Sequence, residues 1–134
     1  MRIDLLAAVL LVLVPNTSGL RVKRVGQNVD LVTDDFPPEQ RARYPLFKER
    51  CTKCHSLERS IEALQTGIAP VTEDRFEEED IKEYVIRMMR KRTSGISKSE
   101  ALELTAFLTY ARKLARETPP PAATQTSTKS GGIK

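Results

Sequence analysis

Two cysteines and one histidine lie within five consecutive residues. This cluster limits the possible fold and chemistry of the chain more than any other feature. The chain of 134 residues contains two Cys and one His, and they are Cys51, Cys54 and His55. Any thiol or imidazole chemistry therefore has to use this cluster. A closed structural zinc site needs four ligands, and the absence of a second Cys or His pair from the sequence disfavours zinc.

Composition favours a small helical protein. A chain of 134 residues fits one domain, and 30% charged residues exclude a polytopic membrane protein. Aromatic residues make up only 5% of the chain, with no Trp, which favours helices over a large β-sandwich. The net charge of +4 combines 22 basic with 18 acidic residues, so we expect no nucleic-acid partner, because such binders concentrate their basic residues.

The N-terminal residues have the pattern of a secretory leader. Ten uninterrupted apolar residues, 5–14, precede Pro15 and the small residues Thr17 and Gly19. Ten helical residues span about 15 Å, roughly half of the hydrocarbon thickness of a bilayer, so a retained anchor is the weaker interpretation. A buried N-terminal helix is a second alternative. We predict a signal peptide over residues 1–19, a periplasmic or otherwise exported protein, and no stable membrane span after leader removal.

Hydrophobic periodicity and turn residues predict four short helices in a core over residues 36–116. The predicted helices cover residues 38–50, 56–65 and 77–91 and a segment that starts at residue 97. Gly67 ends the second helix, and Ser97 with Glu100 forms a capping box at the fourth. Residues 20–35 are an N-terminal arm that is either a short extended pair or simply ordered chain. Residues 117–134 are rich in Pro, Thr and Ser, and we predict a disordered tail.

The cysteine and histidine spacing is the attachment pattern of a c-type haem. Two thiols separated by two residues can each add to a haem vinyl group, and the next residue places an imidazole beneath the iron. A thiol redox motif also uses Cys-x-x-Cys, but it is expected after a strand in a βαβ unit, which the pattern does not contain. A structural disulfide is less favoured still, because so short a loop strains the bond.

The predicted core resembles the small monohaem c-type cytochromes of class I. Phe47 lies four residues before the first cysteine, as the aromatic residue of that family's N-terminal helix does. Residues 103–108, Glu-Leu-Thr-Ala-Phe-Leu, resemble the family's C-terminal helix. The two helices cross in that fold, so the resemblance implies that Phe47 packs on Leu104 and Phe107. The glycine common four residues before the aromatic is Arg43 here.

A narrower resemblance concerns the third helix. Residues 85–88, Val-Ile-Arg-Met, followed by residues 94–97, Ser-Gly-Ile-Ser, are similar to bacterial cytochrome c domains in which a Val-x-Arg-Met segment supplies the distal methionine. The Trp usual seven residues before that methionine is Ile81 here. The resemblance implies one covalently attached haem with four site residues: thioether bonds from Cys51 and Cys54, proximal ligand His55 and distal ligand Met88.

The distal ligand can also be considered from the residues alone. With one histidine in the chain a bis-histidine haem is excluded, which leaves Met, Lys, Tyr, water or no ligand. Met88 continues the apolar stripe of Ile81, Tyr84 and Val85, whereas Met89 lies about 100° further round the helix. A methionine that simply fills the core is the alternative for either residue. We expect Met88 to be the ligand in preference to Met89.

Other residues are expected around such a haem. The loop residues Ile68, Ala69 and Pro70 follow the second helix, and the carbonyl of Pro70 is the expected acceptor for the ring N–H of His55. The basic residues expected to pair with the propionates are Arg90, Lys91 and Arg92. Those expected to surround the exposed haem edge are Lys48, Arg50 and Lys53. A solvated basic helix end is the alternative for the first set.

The resemblance implies an all-α, cytochrome c-like fold of about four short helices wrapped around the haem. The implied function is that of an electron carrier rather than an enzyme. It would pass single electrons between a donor and an acceptor redox protein, and the basic residues favour partners with an acidic docking surface. The alternative is a haem domain whose distal site is open or labile and which acts as a gas- or peroxide-binding sensor or enzyme. A thiol-disulfide oxidoreductase is less favoured.

Overall fold

The computed structural model describes residues 19–117, which form four helices and a two-stranded antiparallel hairpin. The elements are β1 (Val22–Val25), β2 (Asn28–Leu31), α1 (Pro38–Cys51), α2 (Leu57–Thr66), α3 (Glu78–Met89) and α4 (Lys98–Glu117). The described part is therefore mostly helical, as composition predicted. No helix within it has the length and apolar character that crossing a membrane requires. Apart from Gly19 and Glu117, the predicted leader and the predicted tail lie outside the described residues.

Local signals in the sequence set several of the helix ends. Pro38 occupies the first position of α1, where the N–H that proline lacks would have no helical partner. Gly67 ends α2 in the left-handed conformation with φ of 73°, which residues with a side chain adopt less readily. The predicted capping box at α4 is present, since Ser97 N–H donates to Glu100 at 2.8 Å and Glu100 N–H donates to Ser97 Oγ at 3.2 Å.

The third helix differs from its prediction at both ends. It covers Glu78–Met89 rather than residues 77–91. Glu77 is its N-cap, and the side chains of Glu77 and Asp80 form a capping box that the sequence analysis did not identify. The acidic residues at the start of α3 complement the helix dipole, and Glu77 and Asp80 also satisfy backbone N–H groups. The basic residues 90–92 consequently follow the helix instead of ending it.

The arm over residues 20–35 contains the extended pair that was one of its two predicted forms. Strands β1 and β2 pair around a turn at Gly26, where φ is 65°. The arm also contributes to the core, because Leu31 is only 1% exposed. Tyr44 of α1 holds the hairpin: its hydroxyl donates to Asp30 and accepts the N–H of Leu31 at 3.1 Å.

The crossing of α1 and α4 forms the centre of the core. Phe47 and Phe107 are fully buried, and their ring centroids lie 5.0 Å apart, which confirms the predicted packing of these two residues. Leu104 is buried in the same cluster. Arg43, at the position where the resembling family commonly has glycine, reaches across the crossing and pairs with Glu103 at 2.5 Å. This arginine therefore adds an interhelical ion pair to the aromatic contact.

A buried arginine of α4 connects this helix to the end of α2 and the start of α3. Arg112 of α4 is 6% exposed, and its guanidinium donates to both carboxylate oxygens of Glu77, at 3.1 and 2.8 Å. The same group donates to the carbonyls of Leu64 and Gln65 at the end of α2, at 2.9 and 3.3 Å. A Cβ atom at Gly67 would collide with this guanidinium. Arg112 thus connects the end of α2 and the start of α3 to α4.

A second ion pair connects α1 to the start of α4 and makes stability depend on pH. Hydrogen bonds from the Ser97 N–H and from Arg50 lower the pKa of Glu100 from 4.5 to about 2. Because the folded pKa is lowered, the Glu100 carboxylate stabilises the fold above about pH 4.5, and this contribution is lost as the pH falls toward 2.

We expect the free energy of unfolding of Glu100→Gln, measured in urea titrations, to fall less between pH 5 and pH 3 than that of the wild type. Glu62→Gln, which changes an exposed residue of α2, should keep the wild-type pH dependence. The same loss of unfolding free energy between pH 5 and pH 3 in all three proteins would contradict this prediction.

Candidate functional site

Two adjoining cavities lie between the helices and the loop that follows α2. We call them the loop lobe, of about 610 Å³ and lined by residues 69–72, and the Cys54 lobe, of about 980 Å³ and lined by Cys54; both volumes include the open mouths. Cys51, His55 and Met88 line both lobes.

The structure brings all four predicted site residues to these lobes. Cys51 is the last residue of α1, Cys54 and His55 lie in the turn that leads to α2, and Met88 lies in the last turn of α3. All four line the Cys54 lobe. Met89 lines neither lobe and packs instead against the apolar core. The packing of α3 on the rest of the protein therefore brings Met88 to the same cavity as His55.

The two thiols differ in environment and are not joined by a disulfide. Cys51 is 8% exposed, and burial raises the pKa of its thiol to about 12. It also lies at the C-terminal end of a helix, where the dipole disfavours a thiolate. Cys54 is exposed, with Sγ 3.9 Å from Thr93 Oγ1. Reactive Cys-x-x-Cys motifs instead lower the pKa of a partly exposed thiol, so the structure disfavours thiol redox chemistry at Cys51.

The ring of His55 is held by the residue that follows it. Its Nδ1 lies 3.1 Å from the carbonyl oxygen of Ser56, the N-cap residue of α2. A carbonyl oxygen only accepts hydrogen bonds, so Nδ1 carries the proton and Nε2 remains available to a metal. The predicted acceptor, the carbonyl of Pro70, does not make this contact, although Pro70 and His55 both line the loop lobe. Ser56 replaces Pro70 because the turn into α2 places its carbonyl next to the ring.

The loop over residues 67–77 is held by backbone hydrogen bonds and forms one side of the loop lobe. Phe76 N–H donates to the carbonyl of Gly67 at 2.8 Å, and Ala69 N–H donates to that of Asp74 at 2.9 Å. Phe76 packs edge-on against Tyr84 of α3, with ring centroids 5.0 Å apart. Tyr84 lines both lobes one helical turn before Met88. The loop therefore positions an aromatic wall beside Met88.

The lining of the lobes combines apolar residues with positive charge. The apolar lining residues include Phe47, Ala63, Phe76, Val85, Leu104 and Leu108. The cationic ones are Arg50, Arg59, Arg87 and Lys91, and no Asp or Glu of residues 19–117 lines either lobe. Such a cavity suits a largely apolar group that carries negative charge, because apolar walls exclude water and the cations balance the charge.

The basic residues predicted from the sequence are only partly at the cavity. Of residues 90–92, Lys91 lines the Cys54 lobe and its two neighbours line neither lobe. Lys48 pairs with Asp30 at 2.9 Å and Arg50 with Glu100 at 2.6 Å, so both already have carboxylate partners. Arg59 lines both lobes and was not predicted. Its position four residues after His55, in the first turn of α2, is the sequence signal that could have identified it.

Comparisons with protein-family models, with curated proteins and with solved structures find no match to this chain. Within residues 19–117, no three His, Cys, Asp or Glu side chains lie close enough together to hold a metal ion. That part of the chain therefore forms no closed four-ligand zinc site. Instead, the imidazole of His55 and the thioether of Met88 line the same cavity, and each offers one ligand atom for a metal.

Proposed function

We propose that this protein is an exported c-type cytochrome that carries one covalently attached haem and transfers single electrons between redox proteins. One observation carries the proposal: Cys51, Cys54, His55 and Met88 line one cavity, although Met88 is distant in sequence from the other three. Two thiols, an imidazole and a thioether are the groups that attach and ligate the haem of His/Met cytochromes.

The residues present fit a haem in their donor atoms, apolar lining and charge. Cys51 and Cys54 would form the thioether bonds, and His55 and Met88 would ligate the iron. The bound group would supply a one-electron ferric/ferrous couple. The apolar lining residues Phe47, Leu104 and Leu108 would exclude water from it, and the Ser56 carbonyl would orient the His55 imidazole. The chain thereby supplies binding, orientation and a dry environment.

The expected partners follow from the surface of the cavity mouth. Arg59, Arg87 and Lys91 line the Cys54 lobe and are exposed. Such charges attract an acidic surface on the donor or acceptor and accelerate encounter more than they strengthen the complex. Export agrees with the leader predicted over residues 1–19, because covalent attachment of this type takes place outside the cytoplasm in the family that the chain resembles.

The deciding experiment is an optical spectrum of the exported protein in its oxidised and reduced forms. We expect a c-type reduced spectrum, the weak near-infrared-edge band that marks sulfur on ferric iron, and no change when carbon monoxide is added. A c-type spectrum without that band, which shifts with carbon monoxide, would favour the sensor or enzyme with an open distal site. A protein without haem absorbance would contradict the proposal and leave thiol chemistry.

Removal of either thiol is expected to prevent the accumulation of normal holoprotein. Cys54→Ser is the cleaner variant, because Cys54 is exposed and its replacement leaves the core intact. Cys51→Ser places a hydroxyl in a buried position and adds a folding defect. The measurement is haem staining after denaturing electrophoresis, with Lys53→Gln in the same turn as the matched control. Wild-type staining of Cys54→Ser together with an unshifted reduced absorption spectrum would contradict two-point covalent attachment, because a single thioether bond still retains haem but leaves one vinyl group unmodified.

A further inference from the structure

The charges of the cavity wall are unbalanced. Four cations line the Cys54 lobe, and in the described part of the chain no acidic residue lines either lobe. Two of these cations have partners in the protein: Arg50 pairs with Glu100 at 2.6 Å, and Arg87 lies 3.6 Å from Glu83. Arg59 and Lys91 make no ion pair with any residue from 19 to 117. These two cations are therefore free to pair with a bound anion.

Position distinguishes the two cations. Lys91 lines only the Cys54 lobe, whereas Arg59 lines both lobes together with the hydroxyl-bearing residues Thr72 and Tyr84. Arg59 also lies in the first turn of α2, directly after the segment that carries His55. A guanidinium presents a planar set of donors that matches a carboxylate in a two-point hydrogen bond, which an ammonium group does not. Both geometry and chemistry favour Arg59.

We propose that Arg59 binds a carboxylate of the group held in the cavity, which is a haem propionate if the proposed function is correct. This assignment adds Arg59 to the residues expected to pair with the propionates and narrows the earlier set, because Lys91 lines a lobe and Arg90 and Arg92 line neither. Neutralisation of the carboxylate removes negative charge near the iron. Ferrous iron, which carries one positive charge less than ferric iron, is thereby favoured, and Arg59 raises the reduction potential.

The test compares midpoint potentials of covalently loaded, full-length variants by spectroelectrochemistry between pH 4 and pH 8. We expect Arg59→Gln to shift the potential downward. The freed carboxylate should also titrate over this range, so the potential of Arg59→Gln should become more dependent on pH than that of the wild type. Arg59→Lys keeps the charge and should restore most of the potential. Lys82→Gln removes one positive charge from an exposed position on α3 outside both lobes. This control should keep the wild-type midpoint potential and its wild-type dependence on pH.

Ionic strength separates a direct pair from a general charge effect. Exposed charges that act at a distance are screened as salt rises, whereas a hydrogen-bonded pair is screened much less. The downward shift in Arg59→Gln should therefore persist in high salt. Equal potentials for Arg59→Gln and Lys82→Gln, or a shift that vanishes in high salt, would overturn this inference while leaving a c-type spectrum intact. Absence of that spectrum in the wild type would instead overturn the proposed function.

Discussion

Met88→Ala is expected to abolish the sulfur-to-iron absorption band of the oxidised protein, and Met89→Ala is expected to keep it. Met88 lines both lobes together with His55, whereas Met89 packs against the apolar core. The two residues are adjacent and chemically identical, so each variant is the matched control of the other. Both should retain covalent haem, because neither change removes a thiol.

Carbon monoxide provides a second measurement on the same pair of variants. Loss of the distal thioether opens a coordination position, so reduced Met88→Ala should bind carbon monoxide and reduced Met89→Ala should not. Loss of the band in Met89→Ala alone would transfer the distal role to Met89. A band that survives in both variants would contradict methionine ligation by the α3 residues.

Arg112→Ala is expected to lower the free energy of unfolding by about 1.5–3 kcal/mol, the usual contribution of a hydrogen bond to a charged group, because the partly exposed Glu77 loses its buried partner. The variant leaves Glu77 without its guanidinium and also frees the carbonyls of Leu64 and Gln65. Small domains are stable by about 5–15 kcal/mol, so a loss of this size removes a large share of that stability. Urea titration followed by far-ultraviolet circular dichroism measures the change.

Arg116→Ala is the control for this change, one helical turn further along α4. Arg116 pairs with Glu78 at 3.1 Å, but both side chains are substantially exposed. Exposed pairs contribute about 0–1 kcal/mol, so Arg116→Ala should be close to wild type. Equal effects of the two variants would mean that Arg112 does not join the helices as its contacts indicate.

Features encoded in neighbouring residues were predictable from the sequence. Gly67 and the Ser97–Glu100 capping box marked two helix ends, and each signal needs only a few adjacent residues. The contact between Phe47 and Phe107 was also predicted, because the resemblance to class I cytochromes implied the crossing of the first and last helices. The Cys-x-x-Cys-His spacing likewise identified candidate site residues without any structure.

Features that depend on distant partners were not predictable from the sequence. Arg112 lies among polar and apolar residues of α4, and nothing local indicates that Glu77, 35 residues away, is its partner. Arg59 resembles any solvated helix residue until packing places it at the cavity. Pro70 was expected to accept from His55 through the resemblance, but the turn at Ser56 supplies a closer carbonyl. Each case requires the three-dimensional arrangement of the helices.

The crossing of α1 and α4 has a consequence for the order of events during synthesis. Arg43 and Glu103, which pair across it, are 60 residues apart, and ribosomes add about 5–20 residues per second. Cys51 precedes Leu104 by 53 residues, so the segment that carries the two cysteines is made roughly 3–11 s before its α4 partners. During that interval Cys51 cannot be enclosed by Leu104 or Leu108. The nascent chain thus has a time window in which Cys51 is as accessible to other molecules as Cys54, and for Cys51 the window closes when the last helix docks.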